Sequence, residues 1–136
     1  MFPTKTRILI VDDMPSIRDL VRNHLQGMGY KFILEANNGE EGLKILQESN
    51  SVGNQIQLII SDLNMPVLNG VEFLKKVRAS ATWASLPFIL LTSESERELV
   101  TEAILSGVSQ YVVKPFTGKM FEEKLKTVWA KYEKAA

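Results

Sequence analysis

Five short apolar runs recur along the chain, and they constrain its fold more than any other feature. They read "RILIV", "KFILEA", "IQLIIS", "PFILL" and "YVV". Most are continuous rather than alternating, as expected of strands covered by helices on both faces. The segments between them carry helical spacing. Ile17, Leu20, Val21, Leu25 and Met28 fall at i, i+3, i+4, i+8 and i+11, an apolar stripe along one helix. Pro15 suits its first turn, and Gly27 and Gly29 suit its stop. Gly39 to Glu48 predicts a second helix with Leu43 and Leu46 inward. Val71, Leu74 and Val77 predict a third after Gly70. Leu99, Val100, Ala103 and Ile104 stripe a fourth that stops near Gly107, and Phe121, Leu125, Val128 and Trp129 stripe a fifth. Strand and helix thus alternate five times. Right-handed crossovers then give a doubly wound α/β domain with a five-stranded parallel sheet.

The chain has 136 residues, the length of one domain with a sizeable core. Sixteen Lys and Arg balance sixteen Asp and Glu, so no net basic field draws nucleic acid or an anionic membrane. There is no cysteine, which excludes disulfides, thiolate metal sites and thiol nucleophiles. No run has the length of a membrane span. The most loop-like segment is "ESNSVGNQIQ", Glu48 to Gln57.

In open parallel sheets, sites form beyond the carboxyl ends of the strands. Asp12 and Asp13 follow the first strand. Asp62 follows the third, Thr92 and Ser93 the fourth, and Lys114 the fifth. Adjacent carboxylates about 4 Å apart repel by about 4 kcal/mol at an effective dielectric near 20. A divalent cation offsets that repulsion, and magnesium takes hard oxygen ligands of this kind. Asp62 then suits a carboxylate nucleophile that forms an acyl phosphate. Lys114 suits neutralisation of the phosphoryl oxygens, and Thr92 a hydrogen bond to them. Each residue alone has a plainer reading: helix caps for Asp12 and Asp13, a strand-end hydroxyl for Thr92, a solvated lysine for Lys114, a half-buried sheet aromatic for Tyr111. The single histidine, His24, reads as a surface or packing residue. The joint occurrence at four strand ends carries the argument.

"VDD", "SDLNMPVLNG", "LLTSE" and "YVVKPF" together resemble the signature segments of bacterial two-component response-regulator receiver domains, of the single-domain chemotaxis type. The resemblance spans about Arg7 to Trp129. It implies a flavodoxin-like (βα)5 fold with strand order 2-1-3-4-5, a single domain over residues 1–136, and no output domain. It implies that Asp62 accepts a phosphoryl group from a histidine kinase in a magnesium-dependent reaction. Asp13 would ligate the metal directly, Asp12 through water, and Asn64 through its backbone carbonyl. Thr92 and Lys114 would hold and report the phosphoryl group, and Tyr111 would turn inward when Thr92 moves. Lys114–Pro115 resembles the family's cis peptide. The implied setting is a cytoplasmic monomer without nucleic-acid or membrane partners, acting on a downstream protein such as a flagellar motor switch component. Leu63 stands where the best-known chemotaxis regulator has tryptophan, and Glu96 where it has lysine.

Two other classes fit parts of the pattern. A haloacid-dehalogenase-like phosphatase also uses an Asp nucleophile, magnesium, a hydroxyl and a lysine. It needs a second aspartate as acid/base, where this chain has Asn64. A flavin or nucleotide binder of flavodoxin-like fold would need a phosphate-cradling glycine loop, which the sequence lacks.

Overall fold

The computed structural model describes residues 1–135. Five strands, β1 (Arg7–Val11), β2 (Phe32–Ala36), β3 (Leu58–Asp62), β4 (Phe88–Thr92) and β5 (Gln110–Val113), alternate with five helices. The helices are α1 (Pro15–Gly27), α2 (Gly39–Ser51), α3 (Gly70–Ala79), α4 (Arg97–Leu105) and α5 (Gly118–Ala135), with a short 3-10 turn at Glu94–Glu96. All strand pairs are parallel, in the order β2-β1-β3-β4-β5. The predicted doubly wound α/β fold and its strand order are therefore observed.

Alternation along the strands divides the core. Ile8, Ile10, Leu58, Ile60, Ile89, Leu91 and Val112 pack with Val21, Leu25, Phe121, Leu125 and Val128 of α1 and α5. On the other face, Leu9, Val11, Ile59, Phe88 and Leu90 pack with Leu46, Val71, Phe73, Leu74, Val77 and Ala103 of α2, α3 and α4. β3 and β4 are buried along their whole length, which explains their unbroken apolar character. Three helix starts have a plain local cause. Pro15 opens α1. Asn38 caps α2 through the Glu41 N–H at 2.9 Å. Asn69 and Glu72 form a reciprocal capping box on α3, at 2.9 and 3.0 Å.

Four features differ from the sequence expectation. α2 continues to Ser51, taking in the first part of the predicted Glu48–Gln57 loop. Ser49 is buried there, so tertiary packing outweighs the weak helix propensity of Ser and Asn. Leu20 of α1 and Ile104 of α4 stand exposed, at the margins of their stripes. The buried core also reaches past Arg7: Phe2 is buried, accepts the Tyr30 hydroxyl at its carbonyl (2.8 Å) and meets the Trp129 ring at 5.0 Å.

The loop after β3 bends sharply onto α3. A Cβ on Gly70 would stand 2.3 Å from the Asp62 carbonyl oxygen, so only glycine permits this approach. Within the loop, exposed Val67 has φ 70°. The left-handed region costs a β-branched residue about 1–2 kcal/mol, and asparagine tolerates it far better. Val67→Asn should therefore raise stability by about 0.5–1 kcal/mol, read as a higher denaturant midpoint at unchanged slope. An unchanged or lower midpoint would show that the loop bears no such strain.

Candidate functional site

The carboxyl ends of β1, β3, β4 and β5 meet at one rim. Carboxylate oxygens of Asp12, Asp13 and Asp62 lie within 4.8 Å of one another. Asp12 and Asp62 are buried, and Asp13 is exposed. Lys114 Nζ donates to Asp62 Oδ1 at 2.6 Å. The backbone joins the same groups, since the Lys114 N–H donates to the Thr92 carbonyl at 2.6 Å. Asn64 lies exposed two residues beyond Asp62. The Lys114–Pro115 peptide is cis.

Electrostatics at the rim is unbalanced, because three carboxylates face one ammonium. Burial raises the Asp12 carboxyl to about 6, against a hydrogen bond from the Met14 N–H (2.9 Å) that acts the other way. Burial likewise raises Asp62, and the hydrogen bond and charge of Lys114 oppose the shift. Asp12 Oδ2 is buried and has no hydrogen-bond partner among the described residues. An orphaned buried oxygen costs free energy. The donor set is all oxygen, compact and anionic, and magnesium fits it.

Thr92 is fully buried. Its hydroxyl donates to the Ser93 carbonyl at 3.1 Å and, at a longer 3.4 Å, to Glu96 Oε1. The same Glu96 oxygen accepts the Ser93 N–H and hydroxyl, each at 2.8 Å. The Glu96 charge also adds to the upward shift of Asp62. From the sequence, Glu96 stands out only as a replacement for lysine, and its reach toward the site is missed. The Ser93-x-x-Glu96 spacing, a capping box on the 3-10 turn, was the available signal. Tyr111 is half-buried in β5 and shares with Thr92, Arg97 and Val100 a groove of about 500 Å³ between α4 and β5. Lys124 Nζ sits 5.8 Å from the Tyr111 ring centroid. His24 packs against the rings of Phe116 and Phe121 at 6.0 and 6.2 Å, which accounts for it without chemistry.

A parallel (βα)5 sheet with acids, a hydroxyl and a lysine on its carboxyl rim defines a class of signalling domain. The response regulator receiver domain family matches residues 8–126, and this chain belongs to it. The chain is 38% identical over 122 residues to a Campylobacter jejuni protein named "Chemotaxis protein CheY homolog", covering 90% of this chain and 91% of that one. It is 36% identical to Helicobacter pylori "Chemotaxis protein CheY1", with 90% and 95% covered. The solved structure of Vibrio cholerae chemotaxis protein CheY4 superposes with a TM-score of 0.80 at 35% identity, over 91% of this chain and 98% of that one.

Two outcomes follow from the charges. Asp12 holds its proton more tightly folded, at about 6, than in the unfolded chain near 3.8. Its contribution to stability is therefore present in acid and is lost as pH rises from about 4 through 6, by on the order of 3 kcal/mol. A cation competes with that proton. At fixed magnesium concentration, the rise in melting temperature should be small at pH 5 and clearly larger at pH 8. An equal rise at both would show that magnesium binds elsewhere. Glu96→Gln removes a negative charge beside Asp62 and weakens the hold on the Thr92 hydroxyl. It should raise the rate of modification by a small anionic phosphodonor severalfold. An unchanged or slower rate would mean that Glu96 does not restrain the site.

Proposed function

We propose that this chain is a phosphorylation-activated response regulator in which Asp62 takes a phosphoryl group from the phosphohistidine of a histidine kinase. The observation that carries this reading is the contact of buried Asp62 with Lys114 beside Asp12 and Asp13. An Asp62 oxygen forms a bond to phosphorus as the bond from phosphorus to the donor imidazole nitrogen breaks. Lys114 holds one Asp62 oxygen and stands where negative charge spreads over the transferring oxygens. Asp12, Asp13, Asp62 and the Asn64 carbonyl would hold magnesium. When bound, the metal neutralises charge on the acids and on the phosphoryl oxygens.

The signal leaves through the surface. Thr92 exchanges its bonds to Ser93 and Glu96 for the phosphoryl oxygens, which leaves space behind it. Tyr111 turns into that space and reshapes the face around Arg97, Val100 and Lys124. Burying the ring favours this by a few kcal/mol at about 25 cal/mol/Å², so the unphosphorylated protein already samples the turned state. A downstream protein, such as a flagellar motor switch component, reads that face. The phosphatase alternative is not favoured, because Asn64 stands where an acid/base aspartate is needed. The relatives' names support a role in chemotaxis.

Acetyl phosphate with magnesium should add one phosphoryl mass that hydroxylamine removes. Asp62→Asn should keep the fold and lose the adduct, and Tyr111→Ala should keep the adduct and weaken partner binding. Equal modification of the Asn variant would place the nucleophile elsewhere. Rapid catalytic phosphate release would favour the phosphatase.

A further inference from the structure

The sheet has an open side at β2, which pairs only with β1. Ala36 accepts the Asp12 N–H at its carbonyl, at 3.1 Å. Main-chain groups alternate in direction along a strand. Phe32 and Leu34 therefore also aim theirs at β1, and Lys31, Ile33 and Glu35 aim theirs outward. Edge strands are usually blunted by proline, a bulge or an inward charge. β2 has neither proline nor bulge, and every residue from Phe32 to Ala36 is in register with β1. Phe32 and Leu34 are 53% and 46% exposed on the α2 side. With Val52 they line an open groove of about 580 Å³.

The order of residues along this edge says what fits it. Residues 31–35 read Lys-Phe-Ile-Leu-Glu. Set antiparallel to itself about Ile33, the segment places Lys31 opposite Glu35, Phe32 opposite Leu34 and Ile33 opposite Ile33. Ile33, Lys31 and Glu35 are the residues whose main-chain groups face outward, so they fall at the bonded pairs of an antiparallel ladder. Phe32 and Leu34 fall at the close, non-bonded pairs, where apolar side chains pack best. Lys31 has no ion-pair partner among the described residues. Glu35 is held by Arg18 and Arg22, with Arg22 shared by Asp19, and its side chain keeps 28% exposure.

We propose that a second copy of this chain pairs with β2 edge to edge, about a twofold axis at Ile33, giving one continuous ten-stranded sheet. The contact forms about six main-chain hydrogen bonds and covers Phe32 and Leu34 of both copies. It uses the side of the sheet away from β5 and Tyr111, so the pair keeps both reader faces open. The pairing departs from the monomer that the family resemblance implies; it goes beyond the proposed phosphorylation and does not depend on it.

Sedimentation velocity of the full chain over a concentration series tests the pairing. It should show a reversible monomer–dimer equilibrium, equally in Asp62→Asn. Phe32→Lys should weaken it tenfold or more while the melting temperature stays within a few degrees. The natural absence of cysteine allows a test of register. Residues 32 and 34 of the two copies would be about 4.5 Å apart at Cα, within disulfide reach. Like residues would be about 7–8 Å apart, outside it. An oxidised equal mixture of Phe32→Cys and Leu34→Cys chains should therefore give mixed disulfides well in excess of like–like ones. A monomer up to millimolar concentration would overturn the proposal. So would a dimer that ignores Phe32→Lys, or equal yields of mixed and like–like disulfides.

Discussion

The parallel register of five strands forces every carboxyl end onto the same rim, and the chemistry of this protein depends on that constraint. Val11, Asp62, Thr92 and Val113 close β1, β3, β4 and β5 within two residues of one another in height, because Val11 pairs with Ser61, Asp62 with Leu91 and Thr92 with Val113. Acids and a lysine distant in sequence become neighbours without any local motif joining them. The cost is electrostatic. Three carboxylates converge where one ammonium answers them, and two of the three are buried. Such convergence costs stability, and a divalent cation at the rim would offset it.

The same rim connects to the surface through short covalent and hydrogen-bonded paths. Thr92 is the last residue of β4, and its carbonyl holds the Lys114 N–H. Its hydroxyl points instead toward Ser93 and Glu96, at the start of the segment leading into α4. Asp62 pairs with Leu91, the residue before Thr92, and the threonine hydroxyl is committed elsewhere. Tyr111, beside Leu90 in the adjoining strand, lines the groove next to it. Only a few packed residues separate Asp62 from the α4–β5 face.

Much of this was legible before the structure. Continuous apolar runs marked buried strands, and the residues just after them marked the rim, because a parallel sheet leaves its ligand-bearing groups there. What escaped depended on lateral position. "KFILEA" reads like the central strands, yet β2 lies at the edge, where α2 leaves Phe32 and Leu34 exposed. Periodicity identified the apolar stripes of α1 and α4 but not their width, so Leu20 and Ile104 fell outside the core. Polar composition hid the last turn of α2, which packing holds in place through Ser49. The contact of Glu96 with Thr92 was not legible, because it depends on the 3-10 turn rather than on periodicity.

The most direct measurement is a crystal structure of the protein with magnesium and beryllofluoride, a phosphoryl mimic. The account predicts beryllium on an Asp62 oxygen, with Lys114 Nζ and the Thr92 hydroxyl each within about 3 Å of a fluorine. It predicts magnesium about 2.1 Å from oxygens of Asp13 and Asp62. Tyr111 should be turned toward the space that Thr92 leaves. Beryllofluoride bound away from Asp62, or a Thr92 hydroxyl still directed at Ser93 and Glu96 with the site occupied, would contradict it.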